Sequence, residues 1–375
     1  MTRAAWVLAL FPLLLGVPSA CSKFGESGTG GETTDAGDVP DTSTADTGGG
    51  PLEHRIFVFG GVTQPPVLSV TKGYVSTVAA NGDLGPWTPA PALDDDRYAA
   101  AWTQNGDALL AAAGAVHGKA FSTDGLRGAL PADPAGATAT AWNKAASLAT
   151  GRNYASAVAR QTSIYVSGGR NDTIALGNVE RYDTAHDTWS PAGALAAGVA
   201  GHATFLRNSL MYVVGGDQLG SGGLTASVKR AGFAETDGSL LPFDTAGDLK
   251  MPLAHHSIAL VEPWLFVIGG DGTGGKALAT VARGTFDGAG MLSWELIAPL
   301  PVPASQTGLA EACTVVIDRT IYVMGGRDAA TAASKGDVYI GRVDTNGVIT
   351  WTKSPNVFSE GRAAFGCAVS PSSAQ

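Results

Sequence analysis

One short pattern constrains the fold of this chain more than any other feature: an apolar run of β-branched and aromatic residues that ends in two glycines. It occurs at residues 56–61 (IFVFGG), 164–169 (IYVSGG), 210–216 (LMYVVGG), 264–270 (WLFVIGG) and 320–326 (TIYVMGG), with a worn copy at 109–114 (LLAAAG). The first small residue of each pair falls at Gly60, Ala113, Gly168, Gly215, Gly269 and Gly325, at intervals of 47 to 56 residues. A bulky aromatic keeps the same beat at Trp87, Trp142, Trp189, Phe243, Trp294 and Trp351. Two markers with one period define a repeat protein. Apolar runs of strand length bounded by Gly, Asn, Asp and Pro point to strands, and no helical period competes. The 51 glycines and the low share of charged residues, 15%, favour an all-β repeat, since each Gly weakens a helix by about 1 kcal/mol.

An apolar run closed by Gly-Gly, with Trp following and a period near 50, resembles the kelch repeat. The copy carrying Arg152, Gly168-Gly169, Tyr182-Asp183 and Trp189 is the most complete. The resemblance implies an all-β, six-bladed kelch-type β-propeller, each blade having four strands, a to d from the centre outward. Strand b ends at Gly-Gly, strand d carries the Trp, and strand a begins near an Arg or His. Residues 55–61 read as a strand b with no strand a before it, and 362–369 as a strand a with no strand b after it. The C-terminal strand therefore completes the first blade and removes two open sheet edges. Asn81-Gly82, Asp124-Gly125, Asp237-Gly238, Asp287-Gly288 and Asn346-Gly347 are expected in tight turns between strands c and d. Their recurrence assigns them to backbone geometry rather than calcium ligation. No helix opens after the Gly-Gly pairs, so they are not phosphate loops.

Residues 1–20 read as an export signal, with Arg3, an apolar stretch from Ala4 to Val17 and the ending Pro18-Ser19-Ala20-Cys21. That ending resembles the lipobox of bacterial lipoproteins, which implies lipid on Cys21 as the mature N-terminus. Ser22 after it implies the outer membrane, with a freely secreted protein as the alternative. Residues 21–50 hold little apolar material to bury and read as a disordered tether with a reach of roughly 30 Å. The propeller is then 51–375. The formal net charge is −9, and no basic stripe is available for phosphates, so nucleic acid is not an expected partner.

In a four-stranded blade the start of strand a and the end of strand b share one face of the ring. Arg97, Arg152, His202, His255, Glu311 and Arg362 stand at or near strand-a starts, while Arg170, Asp217, Asp271 and Arg327 follow the small-residue pairs. These ten are the binding-face candidates. Several could equally be framework residues satisfied by loop carbonyls or ion pairs. Asp94-Asp95-Asp96 reads as a solvated acidic loop, and the side chains of His255-His256 point to opposite faces of a strand, so no metal site is expected. Cys313 and Cys367 fall on innermost strands of neighbouring blades. A disulfide between them is open, with two buried free thiols as the preferred reading.

The sequence thus leads to a binding module of the cell envelope: a tethered, monomeric lipoprotein that recognises a protein or glycan through one propeller face, without a cofactor and with no catalytic residues assigned. The alternative is a carbohydrate-active enzyme similar to a sialate mutarotase, with Glu311 and Arg362, Arg152 or Arg97 as its acid–base and carboxylate-binding groups. The copper radical oxidases of similar architecture need Tyr and His ligands that have no match here. A purely structural envelope protein is a third reading, and a fold with many functions does not choose among them.

Overall fold

Each Gly-Gly run forms the second strand of a four-stranded antiparallel sheet, and six such sheets build a six-bladed β-propeller. The computed structural model describes residues 54–64, 68–116, 118–130, 142–220, 222–328 and 332–370, all within the unit Gly49–Gln375. The expected signal segment, Cys21 and the expected tether lie outside the described residues. From the centre outward, blade 1 is Gly366–Val369, His54–Phe59, Gly73–Val78 and Thr88–Ala90, and blade 2 is Ala101–Asn105, Ala108–Ala112, Gly125–Ala129 and Asn143–Ala145. Blade 3 is Ser156–Arg160, Ser163–Ser167, Asn178–Asp183 and Thr188–Ala194, and blade 4 is Ala203–Arg207, Leu210–Val214, Ser227–Ala231 and Asp244–Asp248. Blade 5 is Ser257–Val261, Trp264–Ile268, Val281–Phe286 and Leu292–Ile297, and blade 6 is Cys313–Ile317, Thr320–Met324, Val338–Val343 and Ile349–Lys353.

The second strands are apolar without alternation because both of their faces are covered by neighbouring blades. Ile164 and Val166 join the apolar layer between blades 2 and 3, whereas Tyr165 between them joins the layer between blades 3 and 4. Leu265 and Val267 face blade 4 while Phe266 and Ile268 face blade 6. The core is accordingly six separate layers, one at each blade junction. Polar stitches cross the same junctions. Tyr165, Tyr212 and Tyr322 donate their hydroxyls to the carbonyls of Gly238, Gly290 and Gly82, each in the outer turn of the next blade, at 2.7, 3.0 and 2.8 Å.

The ring closes as the sequence implies: Ile56 pairs with Val369, Val58 with Cys367 and Phe59 with Gly366. A Cβ on Gly366 would lie 2.2 Å from the Trp102 indole, so the closing strand needs glycine there. Cys313 and Cys367 are joined in a disulfide with their Cα atoms 6.2 Å apart. The preference for free thiols is thereby corrected, because the innermost strands of blades 6 and 1 converge to bridging distance at the channel. Two other expectations change. Gly125 opens the third strand of blade 2 rather than a turn, and Gly290, not Gly288, takes the left-handed conformation in the blade 5 turn. Asn81-Gly82, Asp237-Gly238 and Asn346-Gly347 do form turns with positive φ at the glycine.

Candidate functional site

Between each Gly-Gly loop and the following innermost strand the chain must turn sharply into the channel. The residue at that turn is left-handed in every blade: Ala99, Tyr154, Gly201, His255, Glu311 and Ala364 have φ between 51° and 61°. Five of the six are not glycine, a strained choice that needs compensation. Backbone hydrogen bonding supplies it. The N–H of Tyr154 donates to the Ala99 carbonyl, Gly201 to Tyr154, His255 to Gly201, Glu311 to His255, Ala364 to Glu311 and Ala99 to Ala364, at 2.6 to 3.0 Å. The six bonds form a closed cycle that links every blade to its neighbours. A cavity of about 270 Å³ adjoins this rim, lined by residues of all six blades.

Small rim residues in blades 1, 2 and 4 leave room for large ones in blades 3, 5 and 6. Tyr154 reaches across the ring and donates its hydroxyl to Glu311 Oε1 at 3.0 Å. The His255 imidazole stands edge-on to the Tyr154 ring, centroids 4.6 Å apart, above Gly201, whose missing Cβ would lie 2.7 Å from His255 Nε2. The loops after Gly-Gly add the charges. His255 Nδ1 donates to Asp271 Oδ2 at 2.9 Å, Arg327 Nη2 donates to the same oxygen, and Arg327 Nε lies 3.1 Å from Glu311 Oε1. Arg170 places its guanidinium 5.7 Å from the Tyr154 ring centroid and donates Nε to Asn153 Oδ1.

Burial opposes ionisation of Asp271, but the hydrogen bond from His255 and the charge of Arg327 outweigh it and leave the carboxyl below its ordinary value. Burial likewise works against the Arg327 cation, yet Glu311 and Asp271 together raise its pKa. Burial, reinforced by Glu311, pushes the Tyr154 phenol well above its ordinary value, so it stays a donor. With Nδ1 turned to Asp271, the His255 ring holds its other nitrogen, Nε2, over Gly201.

Of the ten predicted residues, the structure brings Arg170, His255, Asp271, Glu311 and Arg327 together. Asp217 is the equivalent of Asp271 in blade 4 and lines a cavity beside it. Arg97, Arg152 and Arg362 are fully buried and do not reach the binding face. They are framework residues. Arg97 Nη1 donates to the carbonyls of Ala113 and Asp124, Arg152 Nη1 to those of Gly168 and Asn178, and Arg362 Nη1 to those of Gly60 and Lys72. Each therefore ties the first small residue of a pair to the neighbouring third strand. Asp95, expected in a solvated loop, is the carboxylate partner of Arg97, and Glu180 is that of Arg152. His202 is also buried, with Nε2 3.0 Å from Ser167 Oγ. Arg97, Arg152 and Arg362 each lie about four residues before the first residue of an innermost strand, since the rim turn comes between them. Tyr154 is the residue missed. Aligning the units on their innermost strands puts it in register with His255 and Glu311. Among the described residues no three His, Cys, Asp or Glu side chains are grouped to hold a metal ion.

Residues 151–195 match the Kelch motif, the segment that supplies Arg152, Tyr154 and Arg170. Human Kelch-like protein 33 is 37% identical over 75 residues, 20% of this chain and 14% of that protein. Mouse Kelch-like protein 35 is 30% identical over 191 residues, covering 50% and 29%, and bovine Kelch-like protein 36 is 25% identical over 244 residues, covering 61% and 36%. The matches thus span about a third or less of the length of these relatives. Among solved structures, that of YjhT superposes with a TM-score of 0.57 at 17% identity, covering 72% of this chain and 86% of that one. This likeness is one of fold.

Proposed function

We propose that this propeller is a recognition module of the bacterial cell envelope, tethered through lipid on Cys21, that engages a partner protein through the channel mouth. One observation carries the reading: the mouth is chemically lopsided. At equivalent positions after the small-residue pairs, blades 3 to 6 carry Arg170, Asp217, Asp271 and Arg327, whereas blades 1 and 2 carry Val62 and Ala115. Framework demands are common to all blades and do not account for a charged arc confined to four of them. A glycan would use the same arc. Immobilised protein should capture its partner from solubilised envelope, and Arg170→Ala, His255→Ala and Arg327→Ala should each weaken capture without abolishing it. Full capture by all three variants would exclude the mouth as the recognition face.

A second reading, a carbohydrate-active enzyme, draws on the Asp271–His255 pair, whose geometry suits a general base. It requires sugar turnover that disappears in His255→Ala while the variant stays folded. Turnover unchanged in that variant would remove it.

A further inference from the structure

Beside the mouth cluster, the loops that follow Gly-Gly in blades 4 and 5 enclose a cavity of about 460 Å³. We propose that it takes a protonated primary amine, presented by a lysine side chain of the partner. This deepens the recognition reading and rests on it.

Two carboxylates, Asp217 and Asp271, line the cavity together with the His255 imidazole and the Thr273 hydroxyl. Asp217 Oδ1 accepts the Leu219 N–H at 2.8 Å, which leaves Oδ2 over. Asp271 gives Oδ2 to His255 and Arg327, while its Oδ1 is buried without a partner among the described residues. The Asp271 side chain is only 9% exposed, so that oxygen is a desolvated acceptor in need of a donor. His255 turns its Nδ1 edge to Asp271 on this side and holds Nε2 over Gly201. The charges do not cancel. Arg327 is shared between Asp271 and Glu311, and among the described residues no Lys or Arg lines the cavity or pairs with Asp217.

Ligand chemistry follows from that inventory. An ammonium carries three donors, one positive charge and no acceptor. A carboxylate or phosphate would meet the repulsion of the Asp217 and Asp271 carboxylates there, and a neutral hydroxyl would leave the Asp217 carboxylate without a counter-charge. Leu224 and Pro252 supply apolar wall for the methylene stem of a lysine. The remaining wall is largely glycine. Gly223, Gly274 and Gly275 have positive φ, and a Cβ on any of them would meet nothing within 4 Å, so these loops are built without side chains that would fill the space.

The test titrates the purified full chain by calorimetry with Nα-acetyl-lysine methylamide, n-butylamine, Nα,Nε-diacetyl-lysine methylamide and methyl α-glucoside. Binding of the lysine probe, with the diacetylated probe silent, is the expected result. Asp217→Asn should weaken it at least ~10-fold with an unchanged melting temperature, since the loop bond from Leu219 can persist to the amide oxygen. Equal binding of n-butylamine would support recognition of the ammonium alone, and tighter binding of the lysine probe would support the peptide source. Equal binding of the diacetylated probe, binding of the glucoside alone, or silence of both amines would overturn the proposal. Should the amines be silent while Arg170→Ala still weakens partner capture, only the amine assignment fails and the mouth reading stands.

Discussion

Gly201 is the rim residue on which the His255 imidazole rests, and its hydrogen in place of a side chain decides where that ring lies. A Cβ there would sit 2.5 Å from His255 Cδ2, at a backbone φ of +61°. Gly201→Ala should therefore displace the imidazole from Asp271 and cost about 1–2 kcal/mol from the strained backbone. A shifted His255 ring resonance and a lowered urea midpoint would confirm it, and an unmoved resonance would contradict it. Arg152 makes the opposite case, because it touches no ligand and holds up the fold. Its guanidinium is fully buried against Glu180 and the carbonyls of Thr150, Gly168 and Asn178, so Arg152→Ala strands a buried carboxylate and should cost about 3–5 kcal/mol. Below the rim, burial, with a smaller contribution from His256, holds His202 down to about 3, and burial, aided by His255, holds His256 down to about 4. Both folded values lie below the ordinary 6.5, so the unfolded chain binds more protons in the interval between. Stability should be complete above about pH 6.5 and fall towards pH 4, by up to about 1.4 kcal/mol per pH unit for each histidine. Urea midpoints from pH 4 to 7 measure this slope, and His202→Gln should roughly halve it.

The second strands were the most legible elements, because a run such as Trp264–Ile268 is apolar at every position only when both faces are covered. The Gly-Gly pairs and the orphan strands at the two ends were legible for the same reason: local composition dictates them. The rim was not. Its six positions are held by Ala, Tyr, Gly, His, Glu and Ala, and their shared property is a backbone angle and a backbone bond, which leave no common side chain to find. The cluster was half legible. Charged residues after Gly-Gly could be grouped by topology, but Tyr154 and Glu311 are 157 residues apart and meet only because blades 3 and 6 face each other across the ring. The framework arginines could not be told from mouth residues by sequence, since both precede an innermost strand. The disulfide belongs to this scale as well. It closes a loop with a sequence separation of 54, for which the chain-entropy estimate is about 4 kcal/mol. Cys313→Ala combined with Cys367→Ala should lower stability by about 2–4 kcal/mol, and an unchanged denaturation curve under reducing conditions would show that closure does not depend on it.

For the whole molecule, stability depends on the ring being complete, because each apolar layer exists only between two blades. Gly366–Val369 supplies the inner edge of blade 1, and Phe365 belongs to the layer between blades 6 and 1. A chain ending before Gly361 should melt well below the intact protein, and an identical melting curve would contradict the closure. A closed ring also has two unlike faces. One carries the rim, the ion-paired cluster and the glycine-rich loops, and the other carries the turns between first and second strands, such as the one at Asn208 and Ser209. The claim that function resides at the first face is tested most directly by placing a photo-crosslinking residue at exposed Thr273, beside the blade 5 cavity, or at exposed Asn208 on the far face, and irradiating each in intact envelope. A partner adduct from position 273 and none from 208 is the predicted result. An adduct from 208 with none from 273 would place recognition on the opposite side of the ring and contradict the account.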